Sequence, residues 1–233
     1  VVRWSHYSAG SGQIRTNQFM NAVGAQPWQL REHKLRRDCT TGPCLLLADS
    51  VTTQVNPAAD LFNPASAHPQ AAPFRADFLG RVPGLAALAS INDITMTAAT
   101  PFPNAFNEAQ STASPGGDTD YIAAFGGGGG FATSIAGVIP PGPLNAHDIV
   151  RRAMTQSCAG CHQLSNNVPL GGGLIWPPSL GFTHVSDTNV IACATSPGGC
   201  WEISPALRNE FLPRRQATLK AFVDATWCNL PCP

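Results

Sequence analysis

The segment Cys158-Ala159-Gly160-Cys161-His162 constrains this chain more than any other. Two thiols three residues apart share one face of a helical turn, and the imidazole that follows is held beside them. This is the spacing of a c-type haem attachment site, in which the thiols add across two porphyrin vinyl groups and the imidazole reaches the iron. A chance match in a chain of this composition has a probability on the order of one in a hundred, which favours the haem reading. Two other chemistries use a Cys-x-x-Cys pair. A dithiol redox centre places the pair after a strand in a βαβ unit, whereas Asn145 to Ser157 reads as a helix. Asn145 can cap it, Asp148 stands three residues on, and Ile149, Val150, Ala153, Met154 and Ser157 form one mostly apolar stripe. A structural zinc site needs two more ligands at matched spacing, which Cys193 and Cys200 do not neatly supply. One covalently attached haem c is therefore the expected cofactor, with Cys158 and Cys161 as thioether donors and His162 as the first iron ligand.

With this motif and its flanks, residues 144–233 resemble a class I c-type cytochrome domain. The resemblance implies a first helix running into the cysteines, here Ala146 to Ser157, and a last helix crossing it, here Pro213 to Trp227. The proline of that last helix stands at its favoured first position, and Leu219, Phe222, Val223 and Trp227 form an expected inward face. The resemblance also implies a proline-bearing loop whose carbonyl accepts a hydrogen bond from the proximal imidazole. Trp176-Pro177-Pro178-Ser179-Leu180 fits, which makes Pro178 a candidate cofactor-binding residue. Met154, one turn before Cys158, is expected in the core beneath the haem edge. The chain departs from the family at the sixth ligand, because the three methionines, Met20, Met96 and Met154, all precede His162. His184, after the proline loop and among apolar residues, is the expected sixth ligand. His147, His68, Met96 or an open position are the alternatives. A histidine in place of methionine implies a lower haem potential.

The chain has 233 residues, of which 43% are hydrophobic and 12% charged, enough for one large or two small domains. Its 14 basic and 14 acidic residues balance, so charge gives no reason to expect nucleic acid or an anionic membrane as a partner. Lys34 and Lys220 are the only lysines, so docking through a lysine ring is a poor analogy. The arginine pairs Arg36–Arg37, Arg151–Arg152 and Arg214–Arg215 could meet haem propionates, since a guanidinium fork matches a carboxylate. Beyond the motif, six cysteines remain and allow 15 pairings. Short Gly- and Pro-bearing loops favour local closure of Cys39 with Cys44, Cys193 with Cys200, and Cys228 with Cys232. Disulfides and covalent haem both indicate an oxidising compartment, so the protein is expected to be exported: periplasmic, cell-surface or secreted. No stretch is apolar enough for a transmembrane segment, and no signal peptide is visible. Val1–Trp4 already reads as strand, which suggests the C-terminal part of a longer precursor.

Residues 1–140 differ in character. Short apolar runs broken by Pro, Gly, Ser, Thr and Asn favour a β-rich domain. Candidate strands are Val1–His6, Gln13–Met20, Trp28–Arg37 and Cys44–Val55, with Leu45–Leu47 expected to be more deeply buried. Phe74 to Leu88 reads as a helix interrupted at Pro83, with Phe74, Phe78, Leu79 and Val82 on one side, and Ile91–Thr97 as a return to the sheet. Residues 101–143 read as connection. Within them the run Gly126–Gly130 lacks the strand and Lys-Ser/Thr of a phosphate loop and reads as a flexible or closely packed loop. His6, His33 and His68 are dispersed, and Asp118 and Asp120 are too weak a pair to assign a cation.

The expected architecture is α+β: a β-rich domain over residues 1–140, then a mainly helical cytochrome c-like haem domain over 141–233. The expected function is single-electron transfer to or from a redox protein partner, without a catalytic residue of its own. A peroxidase-like haem enzyme with an open distal site, or a haem-bearing subunit of a larger surface assembly, are the rival readings.

Overall fold

The computed structural model describes residues 3–8, 12–18, 28–40, 42–51, 57–96, 102–107, 110–113, 119–181 and 183–227. It is an α+β structure. β1 (Ile14–Gln18), β2 (Trp28–Asp38) and β3 (Leu45–Val51) form an antiparallel sheet around the long β2. β1 covers one edge of β2, pairing Ile14 with His33, and β3 covers the other, pairing Asp38 with Leu45. The Cys39–Cys44 disulfide closes the β2–β3 turn. Beyond β3, the short β4 (Gln110–Ala113) pairs with the start of β2. Glu32 is buried in the sheet; it holds Arg15 at 2.7 Å and accepts from Gln13.

Several expectations change here. Trp4–Tyr7 is a 3-10 turn rather than part of a strand, and Val1 and Val2 lie outside the described residues. Leu45 and Leu46 are exposed rather than deeply buried. Ile91–Asp93 forms a 3-10 turn capped by Ser90, whose Oγ accepts from the Asn92 amide, so this segment does not rejoin the sheet.

The apolar core begins at Ala59 and is helical. α1 (Ala71–Leu79) and α2 (Val82–Leu85) arise from the expected helical segment, with Phe74, Phe78 and Val82 fully buried. The break falls at Gly80–Arg81, and Pro83 sits within the first turn of α2, where a missing N–H costs nothing. Phe62 anchors the cluster, 4.8 Å from Phe74, 5.2 Å from Phe78 and stacked 4.2 Å from Tyr121. The stretch read as connection instead supplies β4, α3 (Tyr121–Phe125) and α4 (Gly129–Ala136). The glycine run is the packed turn between these helices. Gly128 has φ 71°, and a Cβ there would lie 2.5 Å from the Phe125 ring. Phe125, Phe131 and Ile135 are thereby brought into the same core as α5 (Ala146–Met154). One hydrophobic cluster thus runs from Ala59 to Trp176, so the change of character falls nearer residue 57 than 140.

α5 begins with the expected capping box, Asn145 and Asp148 exchanging side-chain-to-amide bonds of 3.1 Å in each direction. It buries Ile149, Val150, Ala153 and Met154, together with the fully enclosed Arg152. The Arg152 guanidinium donates to the carbonyls of Leu170 (2.7 Å), Leu85 (2.8 Å), Ala87 (2.6 Å) and Gly171 (3.0 Å). Gly171, at φ 72°, permits this approach: a Cβ would stand 2.7 Å from the Asp148 carboxyl carbon.

The C-terminal third ends in two elements that project from the core. β5 (Val185–Cys193) and β6 (Ser196–Ile203) form a hairpin clasped by Cys193–Cys200, with Val185, Val190 and Trp201 exposed. A π-helical turn, Ala206–Phe211, then leads into α6 (Leu212–Trp227). The expected last helix is therefore present, but its apolar face does not point inward: Leu219 and Phe222 are 62% and 65% exposed. Cys228 and Cys232 lie outside the described residues, as do Met20, Asp118 and Phe182. No helix among the described residues is long and apolar enough to cross a membrane.

Candidate functional site

α5 stops at Met154, and a tight turn carries the chain into the cysteine motif. Ser157 makes that turn. Its amide and hydroxyl reach the Met154 carbonyl at 3.0 and 2.8 Å, and its Oγ accepts from the Gly160 amide at 3.0 Å. Gly160–Leu164 then winds as a π-helical turn, with the Ser165 amide bonded to the Gly160 carbonyl at 3.0 Å. π-turns favour functional sites because they re-aim side chains within a helix. Gly160 is obligatory by space, since a Cβ would lie 1.7 Å from the Met154 carbonyl oxygen. β4 runs alongside this turn and brings the sheet to the motif.

Cys158 and Cys161 are not disulfide-bonded, whereas Cys39–Cys44 and Cys193–Cys200 are bridged. The imidazole rings of His162 and His184 lie 4.7 Å apart, centroid to centroid, inclined by 56°. His184 Nε2 stands 3.5 Å from Cys161 Sγ, and its Nδ1 is 2.8 Å from Ser204 Oγ. Phe211 closes the apolar side, 5.9 Å from His184 and 5.5 Å from Trp176. The structure thus gathers Cys158, Cys161, His162 and His184, which are 26 positions apart at most.

The other sequence candidates have different places. Met154 is buried at the end of α5, as a core residue. The Pro178 carbonyl accepts from the Ala206 amide at 3.2 Å. The proline loop is instead tied to the motif through Ser179, whose amide and hydroxyl are held by Asn166 at 3.0 and 2.8 Å and whose hydroxyl donates to the His162 carbonyl. His147 Nε2 is engaged by the Gly126 carbonyl at 2.8 Å, and His68 Nδ1 accepts from the Gln70 amide at 3.1 Å. Met96 is enclosed in the core. Among the arginine pairs, Arg152 is committed to carbonyls, Arg151 to Asp148, Arg36 to Asp49 and Arg214 to Asp93. The charge of Arg215 is felt at both Cys161 and His184. Sequence reasoning missed Ser204, Phe211 and Asn166. The first two follow a hairpin that no apolar alternation announced.

Burial pushes the Cys161 thiol up to about 12, with Cys158 adding to the shift and Arg215 opposing it. Burial, then the charges of His162 and Arg215, push His184 down to about 4. At neutral pH the pair is thiol and neutral imidazole, not thiolate and imidazolium, which argues against a cysteine nucleophile activated by this histidine. A neutral imidazole keeps the lone pair that a metal needs.

The depressed His184 value has a stability consequence. The unfolded chain takes up the proton near pH 6.5 while the folded one resists until about 4. The stabilisation is therefore complete above pH 6.5 and is lost as pH falls to 4. Allowing for solvent around the half-exposed ring, the protein should lose about 1–2 kcal/mol over this interval relative to His184→Gln. Denaturant midpoints measured from pH 7 to 4 check it; a constant difference between the two proteins would contradict it.

Among the described residues, two further features suit a bound group here. The buried Tyr121 hydroxyl and Trp176 Nε1–H have no hydrogen-bond partner, and an unpaired buried donor costs about 1–3 kcal/mol. Tyr121 is close enough to feel the charge of Cys158, and Trp176 packs on Phe211 beside His184. The described residues contain no preformed cluster of three or more His, Cys, Asp or Glu able to hold a bare metal ion. No protein-family model, curated protein or solved structure matches the chain.

Proposed function

We propose that this chain is an exported monohaem c-type cytochrome that passes single electrons to or from a protein partner. Cys158 and Cys161 would bind the haem as thioethers, His162 would be its first axial ligand and His184 its second. The carrying observation is the His162–His184 ring pair, 4.7 Å apart beside two cysteines left out of the disulfides. With a ligating nitrogen about 2 Å from the metal on each side and each ring centre about 1 Å further out, two imidazoles facing each other across one iron have centroids about 6 Å apart, so the present pair is closer than a ligated pair. Seating a macrocycle there requires the rings to part, and His184 can yield because it lies at the foot of a hairpin outside the core.

Bound at this position, haem supplies a one-electron iron couple. Around it, Phe211 and Trp176 exclude water from one side, and the turn at Gly160 fixes both sulfurs and His162 on one support. Export is supported by the two disulfides, which persist in oxidising compartments. Exposed Trp201, Leu219 and Phe222 favour, as a second reading, a haem-bearing subunit seated in a larger assembly.

Intact mass and a pyridine haemochrome assay test the attachment. Protein expressed with a haem-attachment system should carry one porphyrin, and Cys158→Ser/Cys161→Ser should carry none. Low-spin spectra in both oxidation states, without a sulfur–iron band, are expected for the parent. His184→Ala should turn high-spin and bind carbon monoxide at once. Colourless parent protein would defeat the haem reading. A parent that binds carbon monoxide immediately would favour a haem enzyme over a carrier.

A further inference from the structure

We infer that Ser204 is a positioning residue that fixes the ring of His184 as an iron ligand. The inference rests on the haem ligation proposed above. Ser204 is fully buried at the foot of the β5–β6 hairpin, directly after Ile203. Val185, which follows His184, pairs with Ile203 across the hairpin. One step further, the Ser204 amide donates to the His184 carbonyl at 2.8 Å, so the ladder sets the two residues side by side.

The side chains repeat this pairing. Ser204 Oγ lies 2.8 Å from His184 Nδ1 and also accepts from the Leu207 amide at 3.1 Å. The Leu207 bond holds the hydroxyl in place at the entry to the π-turn, so its orientation does not depend on His184. Nε2 is the atom turned toward Cys161, and with Nε2 committed to iron the ring proton would sit on Nδ1 and be donated to this fixed oxygen. A ligating imidazole that donates its other N–H to a fixed acceptor has its tautomer and its plane set, and it is a more basic ligand. Ser204 thus decides which nitrogen of His184 faces the metal.

The test uses haem-loaded protein and four forms: parent, Ser204→Ala, Ser204→Thr and His184→Ala. Carbon monoxide must displace His184 from ferrous iron, so its apparent affinity reads the strength of that ligand. Ser204→Ala should raise this affinity about 10–100-fold, the usual cost of losing such an outer partner. Ser204→Thr keeps the hydroxyl and should stay near the parent. The potential and the low-spin signature should move with the affinity, which a merely loosened hairpin leaving the iron–nitrogen bond intact would not produce. If His184→Ala opens the site while Ser204→Ala binds carbon monoxide like the parent, Ser204 has no positioning role and the haem ligation stands. If the parent and His184→Ala behave alike, His184 is not a ligand and both readings fall. Parent protein without haem overturns both as well.

Discussion

Gly160→Ala should destabilise the protein by about 3 kcal/mol or more and sharply lower the yield of covalently bound haem. The new Cβ would lie 1.7 Å from the Met154 carbonyl oxygen and 2.5 Å from its carbon. Both atoms are backbone, at the end of a helix whose other face is buried, so neither can give way. Overpacking against mobile side chains costs about 1–3 kcal/mol, and a backbone collision sits at or above the top of that range. Relief would come from unwinding the π-turn, which would displace Cys161 and His162 together. The sign of the effect is diagnostic. Were the motif an ordinary α-helix, alanine would be favoured over glycine by about 1 kcal/mol. A denaturant midpoint for Gly160→Ala at or above the parent's would therefore refute the packed turn, whatever the haem content.

Arg152→Met should cost about 3–5 kcal/mol, the range found when one side of a buried charged network is removed. Methionine fills most of the volume but leaves the carbonyls of Leu85, Ala87, Leu170 and Gly171 without the donor that reaches them. These carbonyls come from two separate stretches of chain, so the guanidinium, carried by α5, ties that helix to α2 and the Gly171 loop at one point. Burial lowers the Arg152 pKa from its ordinary value and nearby Asp148 opposes the shift, but the group remains charged. Domains are stable by about 5–15 kcal/mol, so the loss should bring the haem-free protein near its unfolding threshold. Arg152→Lys, with one nitrogen in place of three, should fall between. Urea unfolding of the three proteins checks the order, and equal midpoints for parent and methionine variant would remove Arg152 as the joint.

What the sequence disclosed followed from range. The capping box at Asn145 and Asp148, the buried stripe of α5 and the Phe74–Phe78–Val82 face are local, and each follows from residues within two turns. The two observed disulfides join cysteines five and seven positions apart, which spacing alone favours. His184 is a candidate only through the resemblance, which expects a ligand after His162 where no methionine stands; the structure places its ring beside His162.

The rest depended on partners far away in the chain. Arg152 reads only as one of a pair that could meet haem propionates, because its actual acceptors lie 18 to 67 positions away. α3 and α4 span five and eight residues among glycines, too short for a periodic signal. Helical spacing placed Leu219, Phe222 and Val223 on one face of α6 correctly but says nothing of what that face meets, and here it meets solvent. The β5–β6 hairpin was hidden by Ser186, Asp187, Thr188 and Asn189, which break the alternation of apolar residues expected of a strand. Ser204 was hidden with it.

The clasped hairpin gives the two imidazoles unequal footing. His162 stands on a turn braced by the main core, while His184 stands at the base of a two-stranded ribbon, a unit that is marginal by itself. Fraying of the ribbon can withdraw one nitrogen and leave the remainder of the molecule folded. Under the proposed haem reading, the ribbon would be free to swing aside while Cys158 and Cys161 are joined to the ring and to latch afterwards, so that insertion of the prosthetic group and final closure would be separable events.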